Sequence, residues 1–197
     1  MRILHLSDTH NLHRHLKNLP EADVIVHSGD FTMTGAMDEI IDFLNWFCDL
    51  PCAHKIFIAG NHDMSLYNAT ISGLDDNCHY LCNSGVEIDG IRFYGIPLFM
   101  EDAMNDRVVK NIKSVPEDTD VLITHQPPYG ILDWSDNYHY GSKTLLQRVE
   151  EINPQLHLFG HIHNAHGILR RQRTTFSNAA LLGDDYELDA SPIILDI

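Results

Sequence analysis

The sequence predicts an α/β layered fold, and three features carry that prediction. Short apolar runs rich in Val, Ile, Leu and Phe recur along the chain, bounded by Gly, Pro, Asn or Asp, as buried strands are. Two longer segments carry apolar residues at helical spacing. Strands and helices are interspersed, the pattern of layered α/β folds. Late strand candidates follow one another with little helix between them, so part of the sheet is expected to be antiparallel.

Taken in order, ILHL (3–6) leads into Ser7-Asp8-Thr9-His10, DVIVH (23–27) into Ser28-Gly29-Asp30, and KIFIAG (55–60) into Asn61-His62-Asp63. DVLIT (120–124) leads into His125-Gln126-Pro127-Pro128, and LHLFG (156–160) into His161-Ile162-His163. IRFYGIPLF (91–99), TTFSNAALL (174–182) and PIILDI (192–197) are further strand candidates. The first helix is expected in MDEIIDFLNWFCDL (37–50), where Ile40, Ile41, Phe43, Leu44 and Phe47 form the apolar stripe. Asp38 and Glu39 stand near its start, where the helix dipole favours acids. The second lies in GSKTLLQRVEEI (141–152), with Ser142 as N-cap, a stripe of Leu145, Leu146, Val149 and Ile152, and Asn153-Pro154 ending it.

The length of 197 residues suits one domain with a full core, so residues 1–197 are read as a single domain. Thirteen Lys+Arg against 28 Asp+Glu leave a net charge of −15, which disfavours extended nucleic acid and anionic membrane. Arg170, Arg171 and Arg173 form the one dense basic patch and are read as a solvated hairpin. The N-terminus lacks the pattern of a secretory leader, and no apolar run has membrane-spanning length, so a cytoplasmic location is expected. The cysteines form two close pairs, Cys48/Cys52 and Cys78/Cys82. That spacing does not match the common zinc knuckles, and buried free thiols are expected.

In open α/β sheets, ligands bind beyond the carboxyl ends of the strands. Five strand ends here deliver polar clusters that would converge on one site: Asp8, His10, Asp30, Asn61, His125, His161 and His163. Carboxylate, imidazole and amide donors suit Mn²⁺, Fe, Co²⁺ or Zn²⁺ rather than Ca²⁺. Seven donors exceed one tetrahedral ion and suit two ions sharing a carboxylate. Asp8 and His10, like His161 and His163, are spaced i and i+2, so an extended segment would point each pair one way. Gly60 and Gly160 precede donor positions and leave room for close approach. Each motif alone has an ordinary explanation as a turn or a core histidine. Five in order, each after an apolar run, argue for a site.

Together Asp8-x-His10, Gly29-Asp30, Gly60-Asn61-His62-Asp63, Thr124-His125 and Gly160-His161-x-His163 resemble the complete motif set of the calcineurin-like metallophosphoesterases. THQPPYGILDW (124–134), LHLFGHIHNAHG (156–167), SNAALL (177–182) and PIILDI extend the resemblance toward the metallophosphoesterase domain-containing (MPPED) branch. The resemblance implies a four-layer αββα sandwich with mixed sheets and two divalent ions, Mn²⁺ foremost, with Fe, Zn²⁺, Co²⁺ or Ni²⁺ as alternatives. It implies one ion on Asp8, His10, Asp30 and His163. The other would sit on Asp30, Asn61, His125 and His161, with Asp30 shared.

The implied reaction is hydrolysis of a small phosphate ester, a phosphodiester foremost and nucleotide-derived esters among the candidates, by a metal-bridging hydroxide. His62 would assist the leaving group, a role suited to imidazole, and Asp63 would orient it or lie behind it. A nuclease is the alternative enzyme and a non-catalytic scaffold the alternative class. The stretch Gly29-Asp30-Phe31-Thr32-Met33-Thr34-Gly35 lacks the second acid and the arginine of the protein-phosphatase motif, against that activity. Gln126 stands where MPPED relatives often have glycine. Expected pocket walls are Asn11, His13, Arg14, Tyr129, Tyr138, His139 and Tyr140, and His166 matches no ligand position.

Overall fold

Alternating side chains of each buried strand serve two different cores, and this organises the protein. The computed structural model describes all 197 residues. In chain order it contains β1 (Arg2–Leu6), β2 (Val24–His27), α1 (Met37–Cys48), β3 (His54–Phe57), β4 (Cys78–Tyr80), β5 (Ser84–Ile88) and β6 (Ile91–Ile96). There follow α2 (Met100–Met104), α3 (Arg107–Lys113), β7 (Val121–Thr124), β8 (Trp134–Ser135), β9 (Tyr138–His139), α4 (Lys143–Ile152) and β10 (Leu156–Phe159). The chain ends through β11 (Gly167–Arg171), β12 (Thr174–Asn178) and β13 (Ile193–Asp196).

One sheet has the order β13-β1-β2-β3-β4 and the other β11-β12-β10-β7-β6-β5, with β8 and β9 as a separate hairpin. The inner strands pair parallel; β13 on β1, β11 on β12 and β5 on β6 are antiparallel. The expected antiparallel part is therefore present, at the edges.

Ile3, Val24, Val26, Ile56 and Ile58 of the first sheet meet Phe93, Val121, Ile123, Leu156 and Leu158 of the second, forming the middle of a sandwich. The opposite face of the first sheet, Leu4, Leu6, Ile25 and Phe57, packs on Ile40, Phe43 and Phe47 of α1. Phe43 stacks on Phe31 at 3.9 Å between ring centres. The outer face of the second sheet packs Leu122, Phe159 and Phe176 on Ile112 of α3 and Leu145, Val149 and Ile152 of α4. The result is the αββα layering.

Both expected helices form. Ser142 caps α4, its Oγ accepting from Leu145 N at 3.2 Å. In α1, Ile41 departs from the expected stripe and is half exposed. The Arg170–Arg173 stretch is the exposed end of β11 and the turn into β12. Strand β4 and helices α2 and α3 are too short to show a periodicity in the sequence. The cysteines are free, but against expectation only Cys78 is buried, and the neighbours in space differ from the neighbours in sequence. Cys48 Sγ lies 3.0 Å from Cys78 Sγ, Cys52 Sγ donates to the Ala22 and His54 carbonyls, and Cys82 follows β4. No helix is long and apolar enough to cross a membrane.

Candidate metal centre

The carboxyl ends of β1, β2, β3, β7 and β10 face one region, because these strands run parallel within their sheets. The loops after them carry all seven candidate ligands. Three groups of donor atoms lie within 4.8 Å of one another: Asp8, His10 and His163; His10, Asp30 and His62; and Asp30, His125 and His161. Asp30 links the groups, its Oδ2 being 3.1 Å from His125 Nε2 and 4.0 Å from His10 Nε2. Asn61 Oδ1 is 3.1 Å from His125 Nε2. His163 Nε2 is 3.6 Å from Asp8 Oδ1.

The local backbone is not the extended one expected for Asp8-x-His10 and His161-x-His163. Asp8, His10, Asp30 and His161 all have positive φ, at 52°, 36°, 54° and 70°. Left-handed turns, not the two-residue period of a strand, aim these side chains inward. Such conformations cost about 1 kcal/mol or more each and concentrate at functional sites. The neighbouring glycines serve as expected. A Cβ on Gly60 would lie 2.2 Å from Asp30 Oδ1, and one on Gly160 only 2.0 Å from Asp8 Oδ2.

Backbone carbonyls orient the imidazoles. His10 Nδ1–H donates to Thr32 O at 3.0 Å, His125 Nδ1–H to Ser28 O at 2.9 Å, and His163 Nδ1–H to Gly183 O at 3.1 Å. A carbonyl only accepts, so the proton is on Nδ1 and Nε2 faces the site, the arrangement that orients metal-ligating histidines. His10 Nε2 is buried with no protein partner. A buried imidazole nitrogen without a partner, beside two carboxylates, fits a cation.

Electrostatics agree. Burial opposes ionisation of Asp8, but the His163 hydrogen bond and the charges of His125, His163 and His10 hold its carboxyl well below the usual range. Burial likewise opposes Asp30, and His125 outweighs it. Burial pushes His125 down, yet the Asp30 and Asp8 carboxylates raise it to about 9. His163 is also raised, burial being outweighed by Asp8. Burial lowers His10 and takes His161 down to about 4, which keeps their lone pairs free. Two buried carboxylates thus favour positive charge beside them, and both His125 and His163 are shifted toward their protonated forms. A divalent cation would displace those protons.

Asp63 lies behind the centre and not at its surface. Its fully buried carboxylate accepts from Asp30 N and Gly60 N at 2.8 Å, Thr32 N at 3.0 Å and Thr32 Oγ1 at 2.7 Å. Burial and the Asp30 charge raise it to about 6. Of the two placements the sequence leaves open for Asp63, the hydrogen bonds are those of the one behind His62: it clasps the β2 and β3 loops and makes no bond to the His62 ring. His62 Nδ1–H donates instead to Met33 O at 2.7 Å, and His62 N to Asp30 Oδ1 at 2.8 Å. His166 Nδ1–H donates to Ala180 O at 2.9 Å, tying its loop to the β12 side.

A cleft of about 460 Å³ opens beside the centre, lined by Ser135, Asp136, Tyr140, His161, Ile162, His163, Asp184 and Tyr186. Of the expected wall residues, Tyr140 is among them. His13 and Arg14 turn away onto Asp42 of α1, at 3.1 and 2.7 Å. Asn11 Nδ2 is engaged by Glu39 at 2.6 Å. Tyr129 packs on His139 and under Lys143. Asp184 and Tyr186 carry no motif, and only the approach of the 183–189 loop to β10's end brings them here.

Comparison with known proteins agrees with this geometry. The sequence profile of the calcineurin-like phosphoesterases matches residues 1–165. A UPF0046 protein of Caenorhabditis elegans is 34% identical over 221 residues, covering 100% of this chain and 75% of that protein. Metallophosphoesterase domain-containing protein 1 of Homo sapiens is 33% identical over 231 residues, covering 100% of this chain and 71% of that protein. The crystal structure of TT1561 of Thermus thermophilus superposes with a TM-score of 0.65 at 13% identity, covering 95% of this chain and 96% of that one, a likeness of fold. A chain that matches the family over residues 1–165 and places His and Asp groups able to bind metal at the strand ends belongs to the calcineurin-like phosphoesterases, metal-dependent hydrolases of phosphoric esters.

Proposed function

We propose that residues 1–197 act as one domain that hydrolyses a small phosphodiester with two divalent ions. The observation that carries this reading is that Asp30 belongs to two of the three donor groups, one with His125 and His161 and one with His10 and His62, and that His10 in turn belongs to the group of Asp8 and His163. By this reading the first ion takes Asp8, His10, Asp30 and His163, and the second Asp30, Asn61, His125 and His161. When bound, such ions polarise a phosphoryl oxygen and make a strong nucleophile available at neutral pH. Manganese suits the mixed O and N donor set, with iron, zinc, cobalt and nickel sharing that chemistry.

The protein's own groups do the rest. Asp63 holds the Asp30 and Gly60 backbones in register, so the shared carboxylate cannot drift. Met33 O fixes the His62 ring through Nδ1 and leaves Nε2 free. As the water oxygen bonds to phosphorus the ester P–O bond breaks and His62 gives a proton to the departing oxygen; the proton that the water gives up passes to solvent, from which His62 is reprotonated. The general acid is effective there because it is positioned before the substrate arrives.

The test is hydrolysis of bis(p-nitrophenyl) phosphate after reconstitution with Mn²⁺, Fe²⁺, Zn²⁺, Co²⁺ or Ni²⁺. Asp30→Asn and His125→Ala should each lose at least about a hundredfold in kcat/KM. Metal analysis should find two ions per wild-type chain. Full activity in Asp30→Asn would falsify the assignment.

A further inference from the structure

The cleft beside the centre has walls from two separate segments. The β8–β9 hairpin contributes Ser135 and Asp136, with Tyr140 just after it, and the 183–189 loop contributes Asp184 and Tyr186. His161, Ile162 and His163 form the side toward the candidate ligands. Asn164 ties the walls together, its Nδ2 donating to Asp184 Oδ2 and lying 3.4 Å from Ser135 Oγ. The width of the cleft is thus set by the protein.

Tyr186 is held there against its backbone preference. Its φ is +60°, a conformation that bulky residues rarely adopt and that marks functional positions. Its ring packs edge-on against His10 at 5.1 Å and His163 at 5.2 Å between centres, yet 41% of the residue is exposed. Gly183 O accepts from both His163 Nδ1 and Tyr186 N, so one carbonyl anchors a candidate ligand and the loop carrying the tyrosine.

The chemistry of the lining is one-sided. Two carboxylates, Asp136 and Asp184, and two phenol rings face the cleft, and no Lys or Arg lines it. A second phosphate or a carboxylate on the substrate would meet like charge there. A compact ammonium group would meet carboxylates and aromatic rings together, the residue types that recognise quaternary ammonium ligands.

Resting on the phosphodiesterase reading above, we propose that this cleft is the subsite for one esterifying group of the substrate. It takes a cationic, ammonium-bearing group, and Tyr186 is a specificity-determining residue. The substrate class is a phosphodiester of an amino alcohol or a quaternary-ammonium alcohol.

The experiment compares p-nitrophenyl phosphorylcholine with its uncharged tert-butyl isostere on the metal-loaded protein. The cationic ester should be favoured by at least about tenfold in kcat/KM. In the Asp136→Asn/Asp184→Asn double variant the ratio should fall to within about threefold. Tyr186→Leu should lower the ratio and Tyr186→Phe should restore it, since the ring and not the hydroxyl makes the wall. Damage to the fold alone would slow both esters and leave their ratio unmoved. Separately, tetramethylammonium is titrated into the metal-free protein and followed by NMR. It should shift resonances of Tyr140 and Tyr186 in the wild type, and not in the double variant. A wild-type ratio near one, or a ratio unchanged by the double variant, overturns the inference and leaves the phosphodiesterase reading standing. Absence of hydrolysis of either ester with any metal overturns the phosphodiesterase reading, while the titration still decides whether the cleft binds a cation.

Discussion

Gly60→Ala isolates the geometric demand that the centre makes on its backbone. Gly60 does not lie at positive φ, so alanine is tolerated by the main chain and the effect is purely one of space. The added Cβ would stand 2.2 Å from Asp30 Oδ1, 2.6 Å from Asp30 N and 2.8 Å from Asp30 Cγ. Ordinary contact begins near 3.4 Å, so the carboxylate must retreat by about 1 Å. Retreat breaks the 2.8 Å bond from His62 N and pulls Oδ2 from His125, while Asp63 holds Asp30 N in place. Overpacking of this size costs about 1–3 kcal/mol of stability. A misplacement of about 1 Å costs on the order of a hundredfold in rate. The assay pairs urea denaturation with Mn²⁺-dependent hydrolysis of bis(p-nitrophenyl) phosphate. The expected variant is folded, modestly destabilised and at least about a hundredfold slower. A variant with wild-type stability and activity within threefold would show that Asp30 is not held against Gly60 and refute the reasoning.

Removing the Asp63 clasp should be as damaging as removing a ligand: Asp63→Ala leaves the Asp30, Thr32 and Gly60 amides unpaired, costs about 3 kcal/mol or more and loses metal, read by denaturation and metal analysis. If Asp63→Ala keeps two ions per chain, the clasp is dispensable. Phe43→Ala should cost about 3–5 kcal/mol, because Phe43 is fully buried and stacked on Phe31, and a loss below 1 kcal/mol would contradict that packing. Burial lowers His157 to about 3, so its neutral form belongs to the folded state. Its contribution is whole above pH 6.5 and falls away as pH drops toward 3, by about 1.4 kcal/mol per unit, or about 2 kcal/mol at pH 5. His157→Gln should therefore lose less stability than the wild type between pH 7 and pH 5; equal losses would place the acid sensitivity elsewhere. Saturation with Mn²⁺ at a hundred times its Kd should add about 2.7 kcal/mol of stability, an effect that His125→Ala should abolish in thermal melts.

Much of the site is legible in the sequence because parallel strands bring their carboxyl ends together. Each of β1, β2, β3, β7 and β10 is a short buried run that stops at a polar cluster, and register alone then makes Asp8, Asp30, Asn61, His125 and His161 neighbours. The αββα layering was implied by the motif resemblance, while the helices could be read because α1 and α4 are long enough to show their stripes. Less regular parts escaped. Strand β4 spans only Cys78–Tyr80, and α2 only Met100–Met104, too little for a period to stand out.

What the sequence by itself determined is the list of candidate donors, the acid-rich charge and the layered class, since these follow from residue type and spacing. Only the tertiary structure decided how the donors are aimed: positive φ at Asp8, His10, Asp30 and His161 replaces the extended segments that spacing suggested. It also separated His62, held at the centre by Met33, from Asp63, turned inward to bind three loop residues. It set His13 and Arg14 against α1 and placed Asp184 and Tyr186 in the cleft instead. The physical reason is common to all of these. Spacing along a chain reports which way a side chain points only where the backbone is regular, and a site built from turns after strands is not regular.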